Sequence, residues 1–122
     1  MRRARSYVEA GADAIFPEAL RSEEEFAAFA RALPGVPLLA NMTEFGQGPL
    51  LDRSTLAQFG YRMVIYPVSG LRAALKAVQT VLSDVLEKGH QRDTLETMLT
   101  RKELYDLLDY TGYDARDRAY FG

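Results

Sequence analysis

Three short apolar runs recur at a spacing of roughly 25 residues: Ala14, Ile15 and Phe16; then Val36-Pro37-Leu38-Leu39-Ala40; then Met63-Val64-Ile65-Tyr66. No other feature constrains the fold as strongly. Each run has the length of a strand and is too short for a core helix, and the segments between the runs carry a helical period. Strands separated by single helices must run parallel, because a crossover helix brings the chain back to the same end of the sheet.

The intervening segments support this. The first helix carries Ala4, Tyr7 and Val8 and is closed by Gly11 at the position where a left-handed residue ends a helix. The second opens on the capping box Ser22-Glu23-Glu24-Glu25. It continues with Phe26, Phe29, Ala30 and Leu33 on one face until Pro34-Gly35 stops it. A short helix from near Ser54 to Phe59 leads to Gly60. The longest stripe follows, with Leu71, Leu75, Val78, Leu82 and Val85 at helical spacing and Gly89 at its end. Asp93 with Glu96, and Thr100 with Glu103, have capping-box spacing, so the tail reads as helical with Leu104, Leu107 and Leu108 as its apolar side.

Eight such units would need about 200 residues plus loops, close to the ~250 typical of a (β/α)8 TIM barrel. A chain of 122 residues holds three of them. The expected fold is therefore α/β, a partial TIM barrel of about three βα units over residues 1–89, followed by a helical tail over 90–122 suited to oligomer contacts. The alternative is a small open parallel sheet complete in itself. It would leave two unpaired edges and few places to bury the helix faces.

The net charge of −2, with both signs interspersed, offers no cationic field to nucleic acid or to an anionic membrane, so neither is expected as a partner. The absence of cysteine excludes disulfides, thiolate nucleophiles and thiolate metal ligands. The lone His90, following Gly89, reads as a solvated loop residue and cannot build a multi-histidine site. The basic start Met-Arg-Arg-Ala-Arg-Ser is followed by residues too polar for a signal peptide, and no apolar run approaches the ~18 residues of a membrane span. A cytoplasmic location is expected.

In parallel α/β folds, ligands sit beyond the carboxyl ends of the strands. The first run ends in Glu18, the second in Asn41, Thr43 and Glu44, and the third leads through Tyr66 and Ser69 to Arg72. An amide, hydroxyls, carboxylates and a guanidinium gathered there suit a small, multiply anionic molecule. Arg72 matters most, because its planar head meets a carboxylate through two parallel hydrogen bonds. Gly46, Gly48 and Gly70 would let backbone approach a ligand closely. Plainer roles stay open. Asn41 and Thr43 can serve to turn the chain, Glu18 can be a solvated loop charge, and Arg101 can be an ordinary exposed helix residue. A cation in the first turn of a helix opposes the macrodipole, so something else should hold Arg72 in place. The tyrosines Tyr105, Tyr110, Tyr113 and Tyr120 suggest packing against another surface.

The runs EAGADAIFPEA, VPLLANMTEFGQGPL, YPVSGLRA and TMLTRKELYDLLDY, in this order and spacing, resemble the C-terminal half of the 2-methylisocitrate lyases, within the isocitrate lyase and phosphoenolpyruvate mutase superfamily. The resemblance implies the last three strands of the barrel with their helices. It also implies a lyase of the methylcitrate cycle of propionate catabolism, cleaving 2-methylisocitrate to succinate and pyruvate by Mg2+-assisted, retro-aldol-type carbon–carbon cleavage. Glu18, Asn41, Met42, Thr43, Arg72 and Arg101 then fall at substrate-binding positions. The family's cysteine loop, Ser-Gly-Gly turn and magnesium aspartates belong to its N-terminal half. No catalytic residue and no metal ligand is therefore expected in this chain, and the chain alone is expected to be inactive. Met1 falls inside what would be a barrel helix, the pattern that a start assigned too late would leave. A homo-oligomer with exchange of the last barrel helix is also implied. Two other readings remain: an oxaloacetate- or phosphonopyruvate-acting superfamily member, and a non-catalytic module that pairs with full-length subunits.

Overall fold

The computed structural model describes residues 1–121. They fall into two units, Met1–Ala73 and a second beginning at Ala74. In the first, strands β1 (Leu39–Asn41) and β2 (Met63–Ile65) pair in parallel, with Leu39 opposite Met63 and Asn41 opposite Ile65. Ile15 joins the other edge of β1 through one parallel bridge to Leu38. There the Ile15 N–H donates to the Pro37 carbonyl at 2.9 Å and the Leu39 N–H to the Ile15 carbonyl at 3.0 Å. The strand predicted over 14–16 is thus shortened to a single bridge, since Pro17 has no N–H with which to extend the ladder. The predicted parallel order holds: the three segments lie side by side in chain order.

Helices α1 (Arg2–Glu9), α2 (Glu23–Ala32) and α3 (Arg53–Phe59) form where capping chemistry predicts or permits. Gly11 and Gly60, at φ 103° and 105°, take the left-handed conformation that closes α1 and α3. The Ser22 hydroxyl accepts from the Glu25 N–H at 3.3 Å, while the Glu25 carboxylate accepts from the Arg21 N–H at 2.7 Å, one residue before the expected partner. Asp52 caps α3 by accepting from the Thr55 N–H at 2.9 Å.

The core follows from the two-residue period of β1. Leu38, Ala40 and Met42 point to the helix side and are 1%, 1% and 2% exposed; Leu56 of α3 completes this layer with no exposure at all. Each fully buried leucine contributes roughly 1.5–3 kcal/mol. The opposite face of the sheet differs from expectation. The continuously apolar run at 36–40 predicts cover on both sides, yet its Leu39 is only half-buried there, and Met63 and Ile65, in register with Leu39 and Asn41, remain 39% and 40% exposed. That face is only partly covered among the described residues.

The long helix α4 (Ser69–Lys88) runs from the first unit into the second, which also holds a 3-10 turn (Arg92–Thr97), α5 (Arg101–Leu107) and α6 (Tyr110–Phe121). Thr100 and Glu103 form the predicted capping box, the Glu103 carboxylate accepting from the Thr100 N–H at 2.8 Å. Asp93 and Glu96 do not. The Asp93 carboxylate is drawn instead to the Lys88 ammonium at 2.9 Å, and the turn tightens to 3-10 geometry with Gln91 at its cap. His90 also departs from expectation: it is half-buried, with Nδ1 enclosed and unpartnered among the described residues, rather than solvated. The stripe on α4 is open, with Leu75, Val78 and Leu82 more than half exposed. No helix of the described residues is long and apolar enough to cross a membrane.

Candidate substrate site

A cleft of about 420 Å3 opens where the first two parallel segments end, lined among others by Glu18, Asn41, Thr43, Gly46, Gln47 and Gly48. Strand parity decides which residues reach it. Asn41 and Thr43 stand on the face opposite the helices, whereas Met42, between them, must point the other way. Met42 is accordingly a core residue, its side chain turned away from the cleft and its sulfur accepting from the Leu51 N–H at 3.2 Å. The same parity was readable from the sequence.

Asn41 carries an unusual feature. Its Oδ1 is buried and has no hydrogen-bond partner among the described residues. A buried acceptor left unpaired costs about 1–3 kcal/mol, a cost that folding alone does not justify. The glycine loop beyond Thr43 explains its own composition: a Cβ on Gly48 would lie 2.5 Å from the Leu20 carbonyl oxygen, so only glycine lets these two loops close over the cleft.

Arg72 does not line this cleft. It stands at the end of the next strand, in the first turn of α4, where its position against the helix dipole called for a partner. That partner is Glu44, which the sequence could not assign because 28 residues separate the two. The Arg72 Nη1 donates to a Glu44 carboxylate oxygen at 2.7 Å and to the Glu44 carbonyl at 3.1 Å. The guanidinium carbon lies 5.6 Å from the centre of the Phe45 ring. The Ser69 hydroxyl donates to the other oxygen of the same carboxylate. This hydroxyl first, and the Arg72 guanidinium after it, hold the Glu44 carboxyl below the usual carboxylate range.

Backbone strain marks the same rim. Ala19, Phe45 and Val68 have φ of 59°, 62° and 57°, and each lies three or four residues past the end of one of the three parallel segments. Left-handed backbone at a non-glycine residue costs of order 1–3 kcal/mol and clusters at functional sites. The β-branched Val68 is the most costly of the three. No composition signal announces these positions. Arg101 is in the second unit, exposed at the first position of α5, and its guanidinium makes no ion pair among the described residues.

The donor set does not fit a metal ion. No group of three or more His, Asp or Glu side chains gathers closely enough among the described residues. Amide, hydroxyl, carboxylate and guanidinium groups instead suit hydrogen bonding to a polar anion.

Parallel βα segments with a polar, strained rim at their carboxyl ends define an α/β protein whose candidate ligand site is that rim. The chain belongs to the phosphoenolpyruvate phosphomutase family, which matches residues 1–86. It is 55% identical over 115 residues to the 2-methylisocitrate lyase of Aeropyrum pernix, covering 94% of this chain and 37% of that protein. Among solved structures, oxaloacetate acetylhydrolase in complex with the product oxalate shares a TM-score of 0.83 at 28% identity, covering 99% of this chain and 41% of that one. Phosphonopyruvate hydrolase in complex with oxalate and Mg++ gives a TM-score of 0.76 at 31% identity, covering 99% and 43%. The chain spans 37% to 39% of the length of the curated relatives it matches.

Proposed function

We propose that this chain supplies the last three strands of a (β/α)8 barrel in a 2-methylisocitrate lyase, an enzyme that cleaves 2-methylisocitrate to succinate and pyruvate. One observation carries this reading: the buried, unpartnered Oδ1 of Asn41 at the carboxyl end of β1, in a cleft shared with Glu18 and Thr43. Such an atom is costly in the empty protein and is satisfied when a ligand hydroxyl or a protonated carboxyl donates to it. Glu18, Asn41 and Thr43 would bind the hydroxyl-bearing part of the substrate. Arg72, and Arg101 after it in the chain, would neutralise its carboxylates. The 55% identity to a named 2-methylisocitrate lyase, against 28% and 31% to the acetylhydrolase and the phosphonopyruvate hydrolase, favours this substrate within the superfamily.

The open sheet face around Met63 and Ile65 supports a larger barrel, because the interior of a closed barrel is filled by side chains pointing inward from every strand. Magnesium is the cofactor we assign to the assembled enzyme, held by residues other than those described here. The exposed stripe on α4 and the exposed tyrosines Tyr110, Tyr113 and Tyr120 would be covered in a homo-oligomer in which the last barrel helix is exchanged between protomers.

The test is a single chain that places the N-terminal part of the Aeropyrum pernix relative before residue 1. This chimera should release pyruvate in the presence of 2-methylisocitrate, while the 122-residue chain alone should not. A chimera with the relative's oligomeric size and helix content but no pyruvate release would refute the reading, as would pyruvate release by the isolated chain.

A further inference from the structure

The pairing of Arg72 with Glu44 poses a physical question. A guanidinium engaged by a protein carboxylate can be lost to ligand binding, or it can be prepared for it. The geometry separates the two. Both contacts to Glu44, at 2.7 and 3.1 Å, are made by Nη1. Among the described residues, neither Nε nor Nη2 has a protein partner, and these two N–H groups form the edge that meets a carboxylate with parallel hydrogen bonds.

We propose that Glu44 and Ser69 are positioning residues for Arg72, holding its Nη1 so that the Nε–Nη2 edge remains available to a carboxylate of the ligand. The device has two parts. Ser69 fixes one oxygen of the Glu44 carboxylate, which leaves the other oxygen aimed at Nη1. Position completes it: Arg72 sits in the first turn of α4, where the helix dipole repels a cation, and the Glu44 charge offsets that repulsion. Without Glu44, the long side chain would be free to turn into solvent, and the ligand would have to order it on binding.

This inference rests on the reading that Arg72 binds a ligand carboxylate, and the experiment separates the two. Succinate, the probe, is titrated into the 15N-labelled full chain while the arginine Nε–Hε signals are followed, that of Arg72 being assigned by its loss in Arg72→Lys. The Arg72 signal should shift in the wild type. Glu44→Ala should weaken succinate binding about tenfold, the cost of immobilising one rotamer-rich side chain on binding. Glu44→Gln, which keeps an acceptor for Nη1, should recover most of the loss, and Ser69→Ala should show a smaller loss in the same direction. Combined with Arg72→Ala, Glu44→Ala should add nothing, since the two act as one unit. If Arg72→Ala abolishes binding while Glu44→Ala leaves it unchanged or tighter, the positioning role is overturned and the ligand role of Arg72 stands. If Arg72→Ala leaves binding unchanged, both fall.

Discussion

Replacing Asn41 with leucine should make the protein more stable and its rim non-functional. Leucine is close to asparagine in shape but has no polar atoms, so the substitution removes the buried Oδ1 and the penalty of about 1–3 kcal/mol that goes with it. Two smaller effects act alongside. A leucine fits a strand better than asparagine, on a scale spanning about 1 kcal/mol, and imperfect packing of its methyl groups costs up to about 1.5 kcal/mol. The net expectation is a gain of about 1 kcal/mol. With a urea m-value of ~2 kcal/mol/M, that raises the unfolding midpoint by about 0.5 M at unchanged slope. The assay is urea unfolding followed by far-UV circular dichroism, with and without saturating succinate. Wild type should be stabilised by succinate, and Asn41→Leu should start higher and gain nothing from it. A midpoint lowered by 0.5 M or so would show that the amide is satisfied in the folded protein. Its place at the strand end would then be a matter of packing, and the observation on which the functional reading rests would be gone.

Other consequences of the structure are as direct. Leu56→Ala removes a side chain with no exposure and should cost roughly 2–5 kcal/mol, read as a lowered urea midpoint; a loss under 1 kcal/mol would contradict the core as described. Gly48→Ala places a methyl group 2.5 Å from the Leu20 carbonyl oxygen, so it should weaken succinate binding and cost about 1–3 kcal/mol, whereas Gly35→Ala meets no atom within 4 Å and acts only through its left-handed φ of 80°. Asp52 predicts an acid response. The Ser54 hydroxyl and the Thr55 N–H pull its carboxyl from 3.8 down to about 2 in the folded protein. The unfolded chain therefore binds the proton first, so this contribution to stability is present above pH 3.8 and is lost as the pH falls towards 2. Urea midpoints measured across that window should fall less steeply in Asp52→Asn, which cannot titrate; identical slopes would show that the cap does not depend on charge.

Much of this fold was legible because local chemistry announces it. Ser22, Thr100, Gly11 and Gly60 mark helix ends through capping rules that need no tertiary information, and all four act as expected. Asp93 obeyed the same rule in sequence and not in structure, because a lysine one turn back competes for its carboxylate. Strand lengths were overestimated: apolar composition reports burial, while pairing requires donors that Pro17 and Pro37 do not have. At the rim, Asn41 and Thr43 were legible as polar residues interrupting an apolar strand. Met42, between them, has its side chain in the core, as the two-residue period of a strand dictates, so only its backbone is offered to the rim. The strain at Ala19, Phe45 and Val68 and the link between Glu44 and Arg72 were beyond reach, because the first leaves no mark in composition and the second joins positions with no periodic relation.

The claim on which the account depends is that Glu18, Asn41, Thr43 and Arg72 serve one polycarboxylate together. It is tested most directly by following the backbone amide signals of the 15N-labelled chain during a succinate titration. The account predicts that the amides of these four residues shift along a single binding curve with one dissociation constant. Shifts confined to the opposite ends of the strands, around Arg31 and Arg62, or separate curves for Asn41 and Arg72, would contradict it.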